Sequence, residues 1–281
     1  MTIRDEHFTD LQAALSTIYS GKEAESIAFL VFEHLGIDKT EVLAGKKIIL
    51  NESGKQFLSS TKARLFTNEP IQYILGKTVF YGLKFDVNKE VLIPRQETEE
   101  LVNLIIRENT LEKPSILDIG TGSGCIAISL KKNIPDADVS ACDIRRKAIN
   151  LAKKNARLNG IEIQFHQKDV LRIASLYGKK YDIIVSNPPY ITKKEKILMD
   201  SNVVDFEPAE ALFVPENNPL VFYECIIELA ARNLTDNGSV YFEINESRGA
   251  EVEMLLNKAR FKAVRIIKDI NGKDRFATGN I

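Results

Sequence analysis

Long apolar runs are missing from this 281-residue chain, and none approaches the roughly 18 residues of a membrane-crossing helix. The opening MTIRDEHFTD lacks the apolar core of a secretory signal. Together these absences make a cytoplasmic protein, without a membrane partner, the expectation. Cysteine is scarce: Cys125, Cys142 and Cys225 are the only three, and no CxxC spacing joins them, which argues against a disulfide framework and against a structural zinc site. His7, His34 and His166 are scattered, so no metal centre is expected. An excess of either charge is lacking too. A net charge of −1 and a pI near 6.4 argue against a large phosphate-neutralising surface, the usual grip on nucleic acid. Internal repeats and low-complexity segments are absent.

What remains is a globular composition, 44% hydrophobic and 27% charged. Residues 1–70 read as helices, with Phe8, Leu11, Leu15 and Ile18 at helical spacing, then Ile27, Leu30, Val31 and Leu35. Gly36 and the NESG stretch at 51–54 punctuate them. This region carries 8 Lys and Arg against 10 Asp and Glu, so it is no basic arm. A small helical bundle that contacts a partner or covers a site is expected. Between Pro70 and Pro94 the pattern changes to ILGKTVFYG and LKFDV, β-prone pieces that predict a hairpin linker over 71–94.

From residue 95 to 281 strand-like and helix-like segments alternate. SILDI (115–119), DVSAC (138–142), IEIQF (161–165), DIIVS (182–186), VYFEI (240–244), AVRII (263–267) and RFAT (275–278) read as strands. Helices are expected over 145–158 and near 247–260. Such alternation predicts an α/β fold with a parallel, doubly wound sheet. The last two strands, with little between them, are expected to pair antiparallel at its end.

LDIGTGSGCIAISL sets Gly120, Gly122 and Gly124 at the turn from the first strand of this region into a helix, where a missing Cβ permits close ligand approach. The spacing is GxGxG after Asp118, with Thr121 and Ser123 between the glycines, and differs from the GxGxxG of dinucleotide enzymes. Asp143 closes the next strand 25 residues on, where a carboxylate can accept two ribose hydroxyls. Asp169 and Val170 follow the third strand and could frame a base. A nucleoside cofactor is the reading.

SNPPYI then halts the fourth strand. Pro188 and Pro189 cannot donate ladder hydrogen bonds, so Asn187 and Tyr190 stand on a stiff turn beside the glycine loop. An amide nitrogen is a poor nucleophile because its lone pair is delocalised. The Asn187 side-chain oxygen and the Pro188 carbonyl can accept both N–H hydrogens of a planar NH2 group, while Tyr190 stacks on it or faces a sulfonium. Asn187, Pro188 and Tyr190 are thus the catalytic candidates, with Pro189 added to the substrate contacts. This is positioning with electrostatics and needs no strong base. Arg95, Glu97 and Glu99 could line the mouth of the site, although a capped helix start explains the acids almost as well. Glu207-Pro208 reads as a loop, Cys125 as a packed residue, and the pairs at 145–146 and 153–154 as solvated helix faces.

Asp118–Gly124, Asp143 and Asn187–Tyr190 resemble the motifs of S-adenosylmethionine-dependent amino-methyltransferases. EPIQYILGKTVFYGLKFDV (69–87), VLIPRQETEELV (91–102), DFEPAEAL (205–212) and DINGKDRFA (269–277) resemble the HemK/PrmC family of release-factor glutamine methyltransferases. The resemblance is specific from Glu69 onwards and weak before it. It implies a seven-stranded Rossmann-like methyltransferase domain behind a helical substrate-recognition domain. It further implies S-adenosylmethionine at Asp118, Gly120, Thr121, Gly122, Ser123, Gly124, Asp143, Asp169, Val170 and Asn187, with S-adenosylhomocysteine as product. The substrate it implies is the glutamine of a release factor's GGQ motif, and a monomer without nucleic acid is expected. Three departures stand out: Gln96 in PRQETE, the glycine-free VPENNPL (214–220), and Asn245-Glu246-Ser247. All lie outside the methyl-transfer motifs. Rival readings are a ribosomal-protein glutamine methyltransferase, a nucleic-acid base methyltransferase, a dehydrogenase and a non-catalytic binding module.

Overall fold

A computed structural model describes residues 5–172 and 179–281. Met1–Arg4, the start of the segment read as helical, lie outside the described residues. The described residues divide into two compact units, one within 1–76 and 201–206, the other within 77–200 and 207–281.

The first unit is helical because its polar punctuation falls on helix starts. Asp5 caps α1 (Glu6–Leu15), Ser20 caps α2 (Gly21–His34), and Asp38 forms a capping box with Glu41 at α3 (Lys39–Leu43). Asn51 caps α4 (Glu52–Leu65) by accepting from the Gly54 amide at 2.8 Å. NESG therefore begins a helix instead of breaking one. Gly36 does end α2, at φ +80°. Phe8, Leu11, Leu15, Ile27, Val31 and Phe32 meet in one apolar core. Ile18 falls beyond the end of α1, and both it and Leu30 are 42% exposed, so two of the apolar residues at helical spacing face out. Ile74 and Leu75, read as β-prone, close the short helix α5 (Ile71–Leu75), which Gly76 terminates at φ +69°.

In the second unit β1 (Lys77–Phe80) and β2 (Leu83–Asp86) form an antiparallel hairpin around Tyr81-Gly82. Then follow α6 (Gln96–Glu108), β3 (Ser115–Ile119), α7 (Cys125–Asn133), β4 (Asp138–Asp143), α8 (Arg146–Leu158), β5 (Gln164–Gln167) and β6 (Tyr181–Ser186). Helices α9 (Ser201–Phe206), which groups with the first unit, and α10 (Ala209–Leu212) lead to α11 (Val221–Asn233), β7 (Leu234–Glu243), α12 (Gly249–Lys258), β8 (Lys262–Lys268) and β9 (Asp274–Asn280). The seven-stranded sheet has the order β5-β4-β3-β6-β7-β9-β8. Its first five strands run parallel, and β9 enters antiparallel between β7 and β8. The strand expected at 161–165 starts only at Gln164, where pairing with Ser140 begins. The alternation of side chains along a strand sorts the core. Ile116, Ile183, Val185 and Tyr241 pack on the face of α6, α7 and α8, whereas Leu117, Ile119, Ile184, Val240 and Phe242 pack on that of α11 and α12. By the same parity Asp118 and Glu243 belong to the α6–α8 face, each near the carboxyl end of its strand.

Candidate active site

The chain turns from β5 on one flank to β6 on the other side of β3, and a ligand site in an open α/β sheet lies at such a switch point. A cavity of about 450 Å³ opens there, lined by Gly120–Ser123, Asp143, Asp169, Val170 and Asn187–Pro189. Most of the residues singled out in the sequence thus converge on one space. Asp118, Gly124 and Tyr190 stand behind that lining.

The glycine turn divides its labour. Gly120, Gly122 and Gly124 all have positive φ, at +75°, +55° and +85°. A Cβ on Gly120 or Gly122 would meet nothing within 4 Å, whereas one on Gly124 would lie 2.9 Å from Ile128 Cδ1 and 3.1 Å from Ala152 Cβ. The first two border open space and the third lets α7 and α8 approach. Asp118 is fully buried below the turn. Its Oδ2 accepts from Thr121 Oγ1 at 2.6 Å and from the Ala127 amide at 3.3 Å, while Oδ1 has no hydrogen-bond partner. Burial pushes its pKa up to about 7 against those two hydrogen bonds.

Asp143 is held by two backbone donors, Gly122 N–H at 2.9 Å on Oδ2 and Arg145 N–H at 2.8 Å on Oδ1. A carboxylate has about four acceptor positions, so each oxygen retains one for a diol. Asp169 accepts from the Leu171 amide at 3.0 Å and pairs with Arg172 at 3.2 Å. Cys125 and Cys142 also line the cavity, but burial pushes both thiols up to about 12, which fits packed residues and not nucleophiles.

Behind Asn187 lies a buried polar chain that sequence reasoning missed. Asn187 Nδ2 donates to Thr98 Oγ1 at 3.2 Å, and Thr98 Oγ1 donates to Glu243 Oε2 at 2.6 Å. Tyr190 donates its phenol hydrogen to Glu243 Oε1 at 3.2 Å, and Tyr223 donates to the Glu243 backbone carbonyl, also at 3.2 Å. Burial raises the pKa of Glu243, opposed by the Thr98 hydrogen bond and the Arg275 charge. The Tyr190 phenol is likewise raised, chiefly by burial and next by the Glu243 charge. An acid inside the otherwise apolar VYFEI was the available signal.

Other readings change. Arg95 lines the cavity and pairs with buried Glu207, whose Oε2 also accepts from the Ile93 amide at 3.2 Å. The EPAEAL stretch is thereby anchored by an ion pair. Glu97 and Glu99 do not line the cavity, and Glu99 instead accepts from the Tyr81 amide at 2.7 Å. Arg145, read as a solvated face, borders the cavity and pairs with Glu90 at 2.6 Å. Asn245, one of the departures, donates to Glu195 Oε1 at 3.0 Å, and Glu195 in turn accepts from Thr192. Among the described residues no group of acids, histidines and cysteines could hold a metal, and no helix is long and apolar enough to cross a membrane.

A seven-stranded sheet with one antiparallel strand near its edge, a glycine turn after β3 and an acid at the end of β4 define a Rossmann-like, S-adenosylmethionine-dependent methyltransferase. Residues 77–205 match the methyltransferase small domain, and residues 6–76 match the PrmC N-terminal domain. A release factor glutamine methyltransferase of Bacteroides thetaiotaomicron is 46% identical over 96% of this chain and 97% of its own. One of Flavobacterium psychrophilum is 46% identical over 97% of each. The chain belongs to the release factor glutamine methyltransferase family. A solved methyltransferase from Pyrococcus furiosus shares the fold, with a TM-score of 0.54 at 16% identity over 79% of this chain and 98% of that one.

Proposed function

We propose that this chain transfers a methyl group from S-adenosylmethionine to the side-chain amide nitrogen of a release-factor glutamine, the one in its GGQ motif. One observation carries the reading: Asn187 lines the cavity with Nδ2 committed to Thr98, so Oδ1 is the polar atom left to accept there. The residues fit the cofactor. Gly120 and Gly122 leave open space at the turn, Asp143 keeps acceptor positions for a ribose diol, and Asp169 and Val170 flank the place for a base. When bound, S-adenosylmethionine supplies an electrophilic methyl on a sulfonium. Asn187 Oδ1 and the Pro188 carbonyl accept the two N–H hydrogens of the glutamine amide and turn its nitrogen lone pair towards that methyl. Pro189 has no N–H to compete for those acceptors. Such alignment replaces a bimolecular encounter with a positioned one.

Residues 1–70 are assigned the recognition of the release factor, and 71–94 the linker. In support, the buried acids of the first unit have structural partners: Asp5 caps α1, and Glu69 accepts from Arg64 at 2.8 Å on each oxygen. The net charge of −1 supports a protein substrate without nucleic acid. A monomer working in the cytoplasm, where release factors act, completes the reading. Radiolabelled S-adenosylmethionine offered with purified release factor, ribosomal protein and RNA in parallel tests it. Label is expected on the release factor, and label confined to either of the others would overturn the assignment.

A further inference from the structure

Asn187 can offer a carbonyl or an NH2 group to the cavity, and only the carbonyl suits an incoming amide. Something must choose between the two. A hydroxyl has one hydrogen to give. Thr98 gives its hydrogen to Glu243 Oε2, over 2.6 Å, so towards Asn187 it can only accept. Asn187 must therefore turn Nδ2 to Thr98 and Oδ1 away from it. Glu243 is fixed in turn, because Tyr190 donates to its other oxygen and Tyr223 to its backbone carbonyl. Thr98 and Glu243 are both buried, so water does not compete for these bonds.

We infer that Thr98 and Glu243 are positioning residues that hold the Asn187 side-chain carbonyl towards the substrate amide, with Tyr190 locking Glu243 from the other side. The inference rests on the proposed role of Asn187. Its logic is directional: Glu243 accepts from Thr98, Thr98 accepts from Asn187, and Asn187 is left to accept from the substrate. If Thr98 lost its hydroxyl, the amide could rotate and present an NH2 group to the substrate's own NH2.

The test uses the full chain and whichever protein substrate the wild-type enzyme methylates, so failure of the release-factor assignment stays distinguishable from failure of this relay. Thr98→Val keeps the shape and removes the hydroxyl. It is expected to lower kcat about 10- to 100-fold, the scale of losing a group that orients a primary ligand. Calorimetry should show S-adenosylmethionine affinity within about threefold of wild type, because Thr98 acts on the amide's alignment. Thr98→Ser should recover most of the lost kcat. Thr98→Val combined with Asn187→Ala should be no slower than Asn187→Ala alone, since residues acting as one unit are non-additive. If Thr98→Val fails to fold, as judged by its melting curve, Thr98→Ala carries the same expectations. A wild-type kcat in the hydroxyl-free variant, no recovery with serine, or full additivity with Asn187→Ala would each overturn the relay.

Discussion

Asp5 and Glu69 of the first unit are buried for the fold alone, whereas the second unit adds to fold-building acids such as Glu207 and Asp269 two that bear on the cavity. In the first, Asp5 caps α1 and also accepts from the Ile48 amide at 2.9 Å, and Glu69 is clasped by Arg64 through two hydrogen bonds. Every oxygen of those two carboxylates is spent on the fold. In the second, Asp118 keeps an oxygen without a partner, and Glu243 leads through Thr98 to an amide on the cavity wall. Leaving a buried polar atom unsatisfied costs on the order of 1–3 kcal/mol, and at Asp118 that cost falls directly below the glycine turn of the cavity. Glu243 has a donor on each oxygen, as Asp5 and Glu69 do, and differs from them in where its bonds lead, to an amide on the cavity wall.

The sharpest way to press that contrast is Asn187→Ala. It should reduce kcat on the protein substrate by roughly 10²- to 10³-fold, the range for losing one preorganised polar contact at a reacting centre, while cofactor affinity changes far less. Steady-state kinetics with parallel calorimetry would check it, and a kcat near wild type would detach Asn187 from alignment.

Asp118 comes next. Burial favours its neutral carboxyl, so the folded chain retains a proton that the unfolded chain releases near pH 4. The stability this group contributes is intact below about pH 4 and is lost as pH rises through about 7. Relative to Asp118→Asn, the cofactor-free wild type should therefore lose on the order of a few kcal/mol across that window, read by denaturant unfolding at several pH values. A constant difference between the two proteins would contradict a raised pKa.

Much of this site was legible because strand ends announce themselves. Gly120 and Asn187 come immediately after strand-like segments and Asp143 closes one, and a parallel sheet gathers such positions on one edge. The relay was hidden for the opposite reason. Thr98 and Glu243 are 145 residues apart, and Thr98 sits among the charges of QETEE, where it reads as helix surface. Only the packing of α6 on β7 reveals that it points inward. Arg145 was misread likewise, since its partner Glu90 lies 55 residues upstream. The antiparallel pairing of β8 with β9 was evident from their short connection, but the insertion of β9 beside β7 was not, because local pattern carries no strand order.

Smaller effects sharpen the contrast further. Asp143→Ala should weaken S-adenosylmethionine binding by about 1.5–3 kcal/mol, the value of a hydrogen bond to a charged group, without large loss of stability. Calorimetry would show it, and unchanged affinity would remove Asp143 from the site. Asn51→Ala in the first unit should cost about 1 kcal/mol of stability through loss of the α4 cap, and leave cofactor affinity untouched. A matching fall in affinity would undo the division of labour between the units.

Peptide mass spectrometry of a release factor incubated with this enzyme and S-adenosylmethionine tests the central claim most directly. A single added methyl is expected on the glutamine of the GGQ loop, and replacing that glutamine should erase it. Methyl groups elsewhere on the factor, or a signal that survives the replacement, would contradict an active site built to align one primary amide.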